Sequence, residues 1–112
     1  MKLAYAVFYT NNLKKICDFY DNVLSFERAF GNDTFVAYKI GDALLGVKKA
    51  EISREIPGHQ TVIIEVPDAD KLYLELKHKE VTIFSQISND YWGRNFSILD
   101  LDLNRIEFFT KK

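Results

Sequence analysis

The sequence predicts an α+β fold in which one β-α-β-β-β module occurs twice, and three observations carry that reading. A short apolar run leads into an amphipathic helical segment near the start of the chain, and a second such pair begins at Thr61. Each pair is followed by three apolar stretches of strand length. Between the repeats, Glu51 to Gly58 lacks periodicity and carries the turn signal Pro57-Gly58. The modules then span about residues 1–50 and 59–112, with a linker at about 51–58, inside a single domain of 112 residues. Such modules are expected to form curved mixed sheets around a cleft, the kind of concavity where small molecules bind.

Leu3 to Tyr9 reads as the first strand. Thr10 to Asn12 follow it and suit a helix start, because their short side chains accept hydrogen bonds from the unpaired amides of a first turn. The helix behind them places Leu13, Ile16, Cys17, Tyr20, Val23 and Leu24 on one face. Strands over Ser25–Phe30, Phe35–Ile40 and Leu44–Lys48 are separated by Gly31-Asn32-Asp33 and Gly41-Asp42, both tight-turn sequences. In the second module Thr61–Val66 is the strand, and Asp68 after Pro67 caps a helix whose apolar face is Ala69, Leu72, Tyr73 and Leu76. Val81–Gln86, Asn95–Leu99 and Arg105–Thr110 complete it.

Hydrophobic residues at 47% and aromatics at 14% suffice for a core. A formal net charge of -1 with scattered lysines offers no concentrated basic face, so neither nucleic acid nor an anionic membrane surface is expected as a partner. Cys17 is the single cysteine, on the apolar stripe of the first helix, and reads as a small core residue. The opening apolar run breaks at Thr10-Asn11-Asn12, too short for a signal core or a membrane span, and a cytoplasmic location is expected.

Two stretches carry a family resemblance. Leu13-Lys14-Lys15-Ile16-Cys17-Asp18-Phe19-Tyr20-Asp21-Asn22-Val23-Leu24-Ser25-Phe26 resembles the "dl..s..FY..vLGF" helix and turn of the vicinal oxygen chelate superfamily, which includes glyoxalase I, bleomycin-resistance proteins and extradiol dioxygenases. Asp100-Leu101-Asp102-Leu103-Asn104-Arg105-Ile106-Glu107-Phe108-Phe109 is similar to its closing "DPDGN.IELF" hairpin. The resemblance covers the whole chain and implies the glyoxalase/bleomycin resistance fold, with clefts completed by formation of a homodimer. It leaves the reaction open, since the scaffold hosts isomerases, dioxygenases and ligand sequestration alike. Leu101 and Leu103 stand where the family has Pro and Gly. A leucine at a position wanting positive φ costs about 1 kcal/mol, unless the turn shifts to Asn104.

The resemblance also implies where four metal ligands would lie. The first-strand His position is Tyr5; the last strand of the first module, Ala43-Leu44-Leu45-Gly46-Val47, has no donor; the next position is Thr61; only the closing Glu persists, as Glu107. One conventional ligand of four does not hold a divalent cation tightly, and a tyrosine phenol would first have to lose its proton. No cofactor is therefore expected, nor a glyoxalase I or iron-dependent dioxygenase activity, both of which need a Lewis-acid metal. Should a divalent metal bind, its ligands would be Glu107, His59 and Tyr5, although His59 after Pro57-Gly58 reads first as an exposed loop residue.

Alternation gives the cleft lining. If Tyr5 faces the cleft, Leu3, Val7 and Tyr9 do too; Thr61, Ile63 and Glu65 follow from the fifth strand, and Arg105, Glu107 and Phe109 from the last. Trp92-Gly93-Arg94 resembles a family "WG.R.F" stretch at the cleft mouth, so Trp92 and Arg94 join the ligand-binding candidates. Two functions follow. One is a protein that sequesters a small, partly aromatic molecule without metal, in the manner of bleomycin-resistance relatives. The alternative is a lyase, isomerase or dioxygenase of this superfamily, using Glu107 in a degenerate metal site or as a general base.

Overall fold

The structure is a computed structural model that describes residues 1–112. The chain divides into two compact units, Met1–Gly58 and His59–Lys112. Each holds a four-stranded mixed sheet with one helical segment, as the repeat pattern predicts.

In the first unit β1 (Tyr5–Thr10) leads to α1 (Leu13–Asp18), then β2 (Arg28–Gly31), β3 (Phe35–Ile40) and β4 (Ala43–Lys49), in spatial order β1-β4-β3-β2. β1 pairs parallel with β4, and the other pairings are antiparallel. Asn12 caps α1, its side-chain oxygen accepting from the Lys15 N–H at 3.1 Å. The helix continues directly into a π-helical turn, Phe19–Val23. Leu24 N–H donates to the Phe19 carbonyl at 3.1 Å, and Phe26 N–H reaches the Tyr20 carbonyl at 3.0 Å. Ser25, at φ 57°, ends the helix instead of opening a strand, so β2 starts three residues later than the sequence suggests.

The widened turn drives aromatics into the core. Tyr20 and Tyr38 are fully buried with ring centroids 5.5 Å apart, and Phe26 packs on both. Phe8, Ile16, Cys17, Val36, Leu45 and Val47 complete this core, each burial of a large apolar side chain contributing about 1.5–3 kcal/mol.

The second unit repeats the plan with β5 (Thr61–Glu65), α2 (Ala69–His78), β6 (Thr82–Asp90), β7 (Gly93–Leu99) and β8 (Arg105–Lys111), in order β5-β8-β7-β6. Asp68 caps α2, accepting from Lys71 N–H at 3.1 Å. At the other end Glu80, at φ 59°, lets its N–H reach the Lys77 carbonyl and the Val81 N–H reach that of Leu76, the paired bonds that close a helix through a left-handed residue. Tyr73, Leu76 and Ala69 of α2 cover Phe96, Ile98, Ile106 and Phe108 of the sheet, with Tyr73 and Phe96 ring centroids 5.2 Å apart. β6 runs four residues beyond its sequence-predicted end, because Ser85 to Asp90 hold a single apolar residue, Ile87, and so carry no apolar pattern to mark a strand; register shifts between Ile83 and Ser85 and between Ser85 and Ser88 interrupt its pairing with β7.

The closing turn holds a leucine in the left-handed region. Leu103 adopts φ 68°, so the turn does not shift to Asn104. Asp100 organises it: Oδ1 accepts from the N–H groups of Asp102 and Asn104, both at 2.9 Å, and Oδ2 from the Asn104 amide at 3.0 Å. Buried Asn104 in turn accepts from the Gln60 N–H at 3.2 Å, fixing the entry to β5.

Candidate functional site

Each sheet has one face packed on its helical segment and one left open. On the first sheet, buried Phe8 and Thr10 mark the helix side, so Tyr5, Val7 and Tyr9 point to the open face. Register places Val7, Gly46 and Ala37 in one row across β1, β4 and β3, and Tyr9, Lys48 and Phe35 in the next. Tyr5, Phe30 and Phe35 gather there: Tyr5 meets the other rings edge-on at 6.5 and 6.1 Å, and Phe30 stacks on Phe35 at 6.1 Å. Gly46 permits this arrangement, since a Cβ there would stand 2.5 Å from Phe35 Cζ. Tyr5 and Phe30 nevertheless keep 44% and 49% of their surface accessible, which leaves an aromatic platform uncovered within the unit.

At the end of β4, Lys48 Nζ donates to Glu55 at 2.9 Å and Glu51 at 3.0 Å. These bonds raise the lysine pKa, and Lys48 lowers that of Glu55.

On the second sheet the open-face row is Ile63, Glu107, Ser97 and Ser85, flanked by Thr61, Arg105 and Leu99. Glu107 and Ser97 are buried although they face away from the helix. Arg105 organises the group: its Nε donates to Ser97 Oγ at 3.2 Å, its Nη2 to Glu107 Oε1 at 3.3 Å, and its guanidinium carbon lies 4.9 Å from the Phe84 ring centroid. Ser85 and Ser97 share a 2.5 Å hydrogen bond. Exposed Ile63 and Phe84 supply the apolar surround.

Tyr5, Val7 and Tyr9 therefore lie together in the first unit, and Thr61, Ile63, Arg105, Glu107 and Phe109 together in the second. Arg94 departs from its expected place. It shares the phase of Phe96 and Ile98 and donates through Nε and Nη2 to Asp70 of α2 at 3.1–3.2 Å, so it lies on the helix side of the sheet. Trp92 sits in the turn between β6 and β7, partly exposed and edge-on to Tyr91 at 4.8 Å. His59 is exposed at φ 63°. Sequence reasoning missed Phe30, Phe35, Phe84, Ser85 and Ser97. Ser97 had a signal, as the one polar residue between the core positions Phe96 and Ile98.

Residues 2–108 match the family model of the Glyoxalase/Bleomycin resistance protein/Dioxygenase superfamily, and the chain belongs to that superfamily. Among solved structures it is similar to TnmS3, an antibiotic binding protein from Streptomyces sp. CB03234, with TM-score 0.86 and 17% identity over 100% of this chain and 97% of that one. The bleomycin-binding protein of bleomycin-producing Streptomyces verticillus, complexed with copper(II)-bleomycin, gives TM-score 0.80 and 22% identity, covering 100% and 98%. Lactoylglutathione lyase from Agrobacterium tumefaciens gives TM-score 0.80 and 17% identity, covering 97% and 92%. Comparison with curated protein sequences gives no match.

Members of this superfamily commonly bind a metal. No three His, Cys, Asp or Glu side chains of the chain are gathered to hold an ion. Of the residues at the family's ligand positions only Glu107 is a carboxylate, and its Oε1 is already engaged by a guanidinium. These residues do not fit a divalent cation.

Proposed function

We propose that this protein binds a small, flat, partly aromatic molecule on the open faces of its sheets, without a resident metal and as a homodimer. The observation that carries the reading is the uncovered Tyr5, Phe30 and Phe35 cluster seated over Gly46. Two exposed rings, Tyr5 and Phe30, backed by the half-buried Phe35 for which Gly46 makes room, are suited to stacking on a planar ligand. The open face of the second unit is a surface of its own, with exposed Phe84 and Ile63 beside the Arg105–Glu107 pair, and it suits a flat molecule that carries a polar group. Antibiotic binding by the Streptomyces proteins of this fold supports the same class of function. Dimer formation is supported by the apolar area of both faces, which a second copy would cover in part. No helix is long and apolar enough to cross a membrane, and the free thiol of Cys17 suits a reducing compartment such as the cytoplasm.

The test is calorimetric titration with a panel of planar aromatic compounds. Tyr5→Ala and Phe30→Ala are expected to weaken binding about tenfold each while the chain stays folded. Binding unchanged in both variants would contradict the reading.

The enzyme alternative has one observation in its favour, the persistence of Glu107 as a buried carboxylate on the open face. Glu107→Ala separates the two: turnover of any substrate would collapse, whereas binding of an aromatic hydrocarbon would barely change.

A further inference from the structure

Arg105 is held from one side only. A guanidinium presents two hydrogen-bonding edges, a side edge formed by Nε and Nη2 and an end edge formed by Nη1 and Nη2. Ser97 and Glu107 occupy the side edge, and Phe84 lies against the plane. The end edge has no partner in the chain, and the Arg105 side chain keeps 36% of its surface. Glu107 offers a second, unbonded oxygen beside it, on a side chain that keeps 10%. A fixed donor and a fixed acceptor thus stand next to each other, on a pair whose charges cancel.

We propose that this pair selects the head group of a ligand bound on the second sheet: an uncharged group with an acceptor and a donor side by side, such as a carboxamide or lactam, attached to a flat aromatic body that rests beside exposed Phe84 and Ile63 of the same face. Its carbonyl oxygen accepts from the Arg105 end edge and its N–H donates to Glu107. A carboxylate is drawn to Arg105 but repelled by Glu107 at nearly the same distance, and an ammonium meets the reverse, so neither gains net Coulomb energy to offset its desolvation. The other charges near this face are likewise balanced, Lys111 standing 3.6 Å from Glu65. The inference rests on the binding function proposed above and adds the chemistry of the ligand.

Three probes of one ring system decide it: naphthalene-2-carboxamide, naphthalene-2-carboxylate and 2-(aminomethyl)naphthalene, with 2-methylnaphthalene as the headless control, each titrated calorimetrically. In the wild type the carboxamide is expected to bind about tenfold more tightly than either charged probe, the scale of one charge-assisted hydrogen bond. Glu107→Gln keeps the shape and removes the negative charge, so the carboxylate should become the preferred probe. Arg105→Gln should move the preference to the amine. Thermal melts verify that both variants fold, and Arg105→Lys, which keeps the charge but loses the fork, should lower carboxamide affinity without reversing the ranking. A ranking that stays the same in Glu107→Gln, or a wild type that prefers a charged probe, would overturn the assignment while leaving aromatic binding intact. If 2-methylnaphthalene and all three headed probes fail to bind, the binding function itself falls and this inference with it.

Discussion

Two residues, Leu103 and Gly93, show from opposite sides how backbone geometry limits the side chain a position can carry. Leu103 holds φ 68° in the closing turn, a conformation that brings the Cβ of an L-residue too near a carbonyl oxygen. Leu103→Gly should therefore stabilise the protein by about 0.5–1 kcal/mol, strain relief outweighing the extra freedom glycine gains on unfolding, as read by urea denaturation. Gly93 is the opposite case. At φ 149° its missing Cβ would run into the Thr110 carbonyl across the β7–β8 ladder, where backbone cannot yield. Gly93→Ala should cost at least about 3 kcal/mol in the same measurement. Cys17 is quieter: burial first of all pushes its thiol pKa up, so in the folded state it should resist a thiol reagent that modifies it at once in denaturant.

At the scale of elements, the π-helical turn is pinned to the sheet by one carboxylate. Asp21 accepts from Arg28 of β2 at 2.7 and 3.0 Å and from the Tyr38 hydroxyl of β3 at 3.0 Å. The Arg28 hydrogen bond is the main reason its pKa is lowered. A carboxylate with a lowered folded pKa contributes stability that is fully present above its unfolded value and is lost as pH falls through the folded one. Asp21→Asn should accordingly be less stable than wild type at neutral pH, and the gap should narrow below about pH 4. Urea unfolding of both proteins across that range checks it. At the start of α2, Asp68→Ala should cost about 1 kcal/mol through loss of its bond to Lys71 N–H.

These elements also show what the sequence made legible. Helix-face spacing and strand alternation located both helices, six of the eight strands to within two residues at each end, and the open-face phase of Tyr5, Ile63 and Glu107, because burial on one side is the signal those patterns encode. The π turn was invisible, since one added residue leaves Phe19 and Tyr20 as apolar as any helix face would. Arg94 was misplaced by counting forward from a family motif. Counting back from Phe96, whose burial fixes the phase of β7, puts it beside α2. The far half of β6 was lost because Ile87 is the only apolar residue between Ser85 and Asp90, too few to set a pattern. Phe30 and Phe35 were readable as strand residues, but their meeting over Gly46 depends on register between strands, which alternation within one strand does not supply.

For the whole molecule, the duplicated plan gives two open faces of different character, one aromatic and one built around a neutral ion pair. Their joint apolar exposure leads to the expectation of a homodimer at micromolar concentration by light scattering; a monomer there would remove the dimer from the proposal. The central claim is that such a protein binds its ligand without the metal that this superfamily commonly employs. The most direct measurement is metal content by mass spectrometry on gently purified protein, continued as thermal melts of chelator-treated protein against nickel, zinc, manganese and ferrous iron and against planar aromatic compounds. Folded-state binding raises the melting temperature with ligand concentration, by about 2.7 kcal/mol of stabilisation at a hundredfold excess over Kd. The expected result is no stoichiometric metal, no shift with any cation, and a saturable shift with an aromatic compound that survives chelation. Stoichiometric metal that disappears in Glu107→Ala, or aromatic binding that requires an added cation, would contradict it.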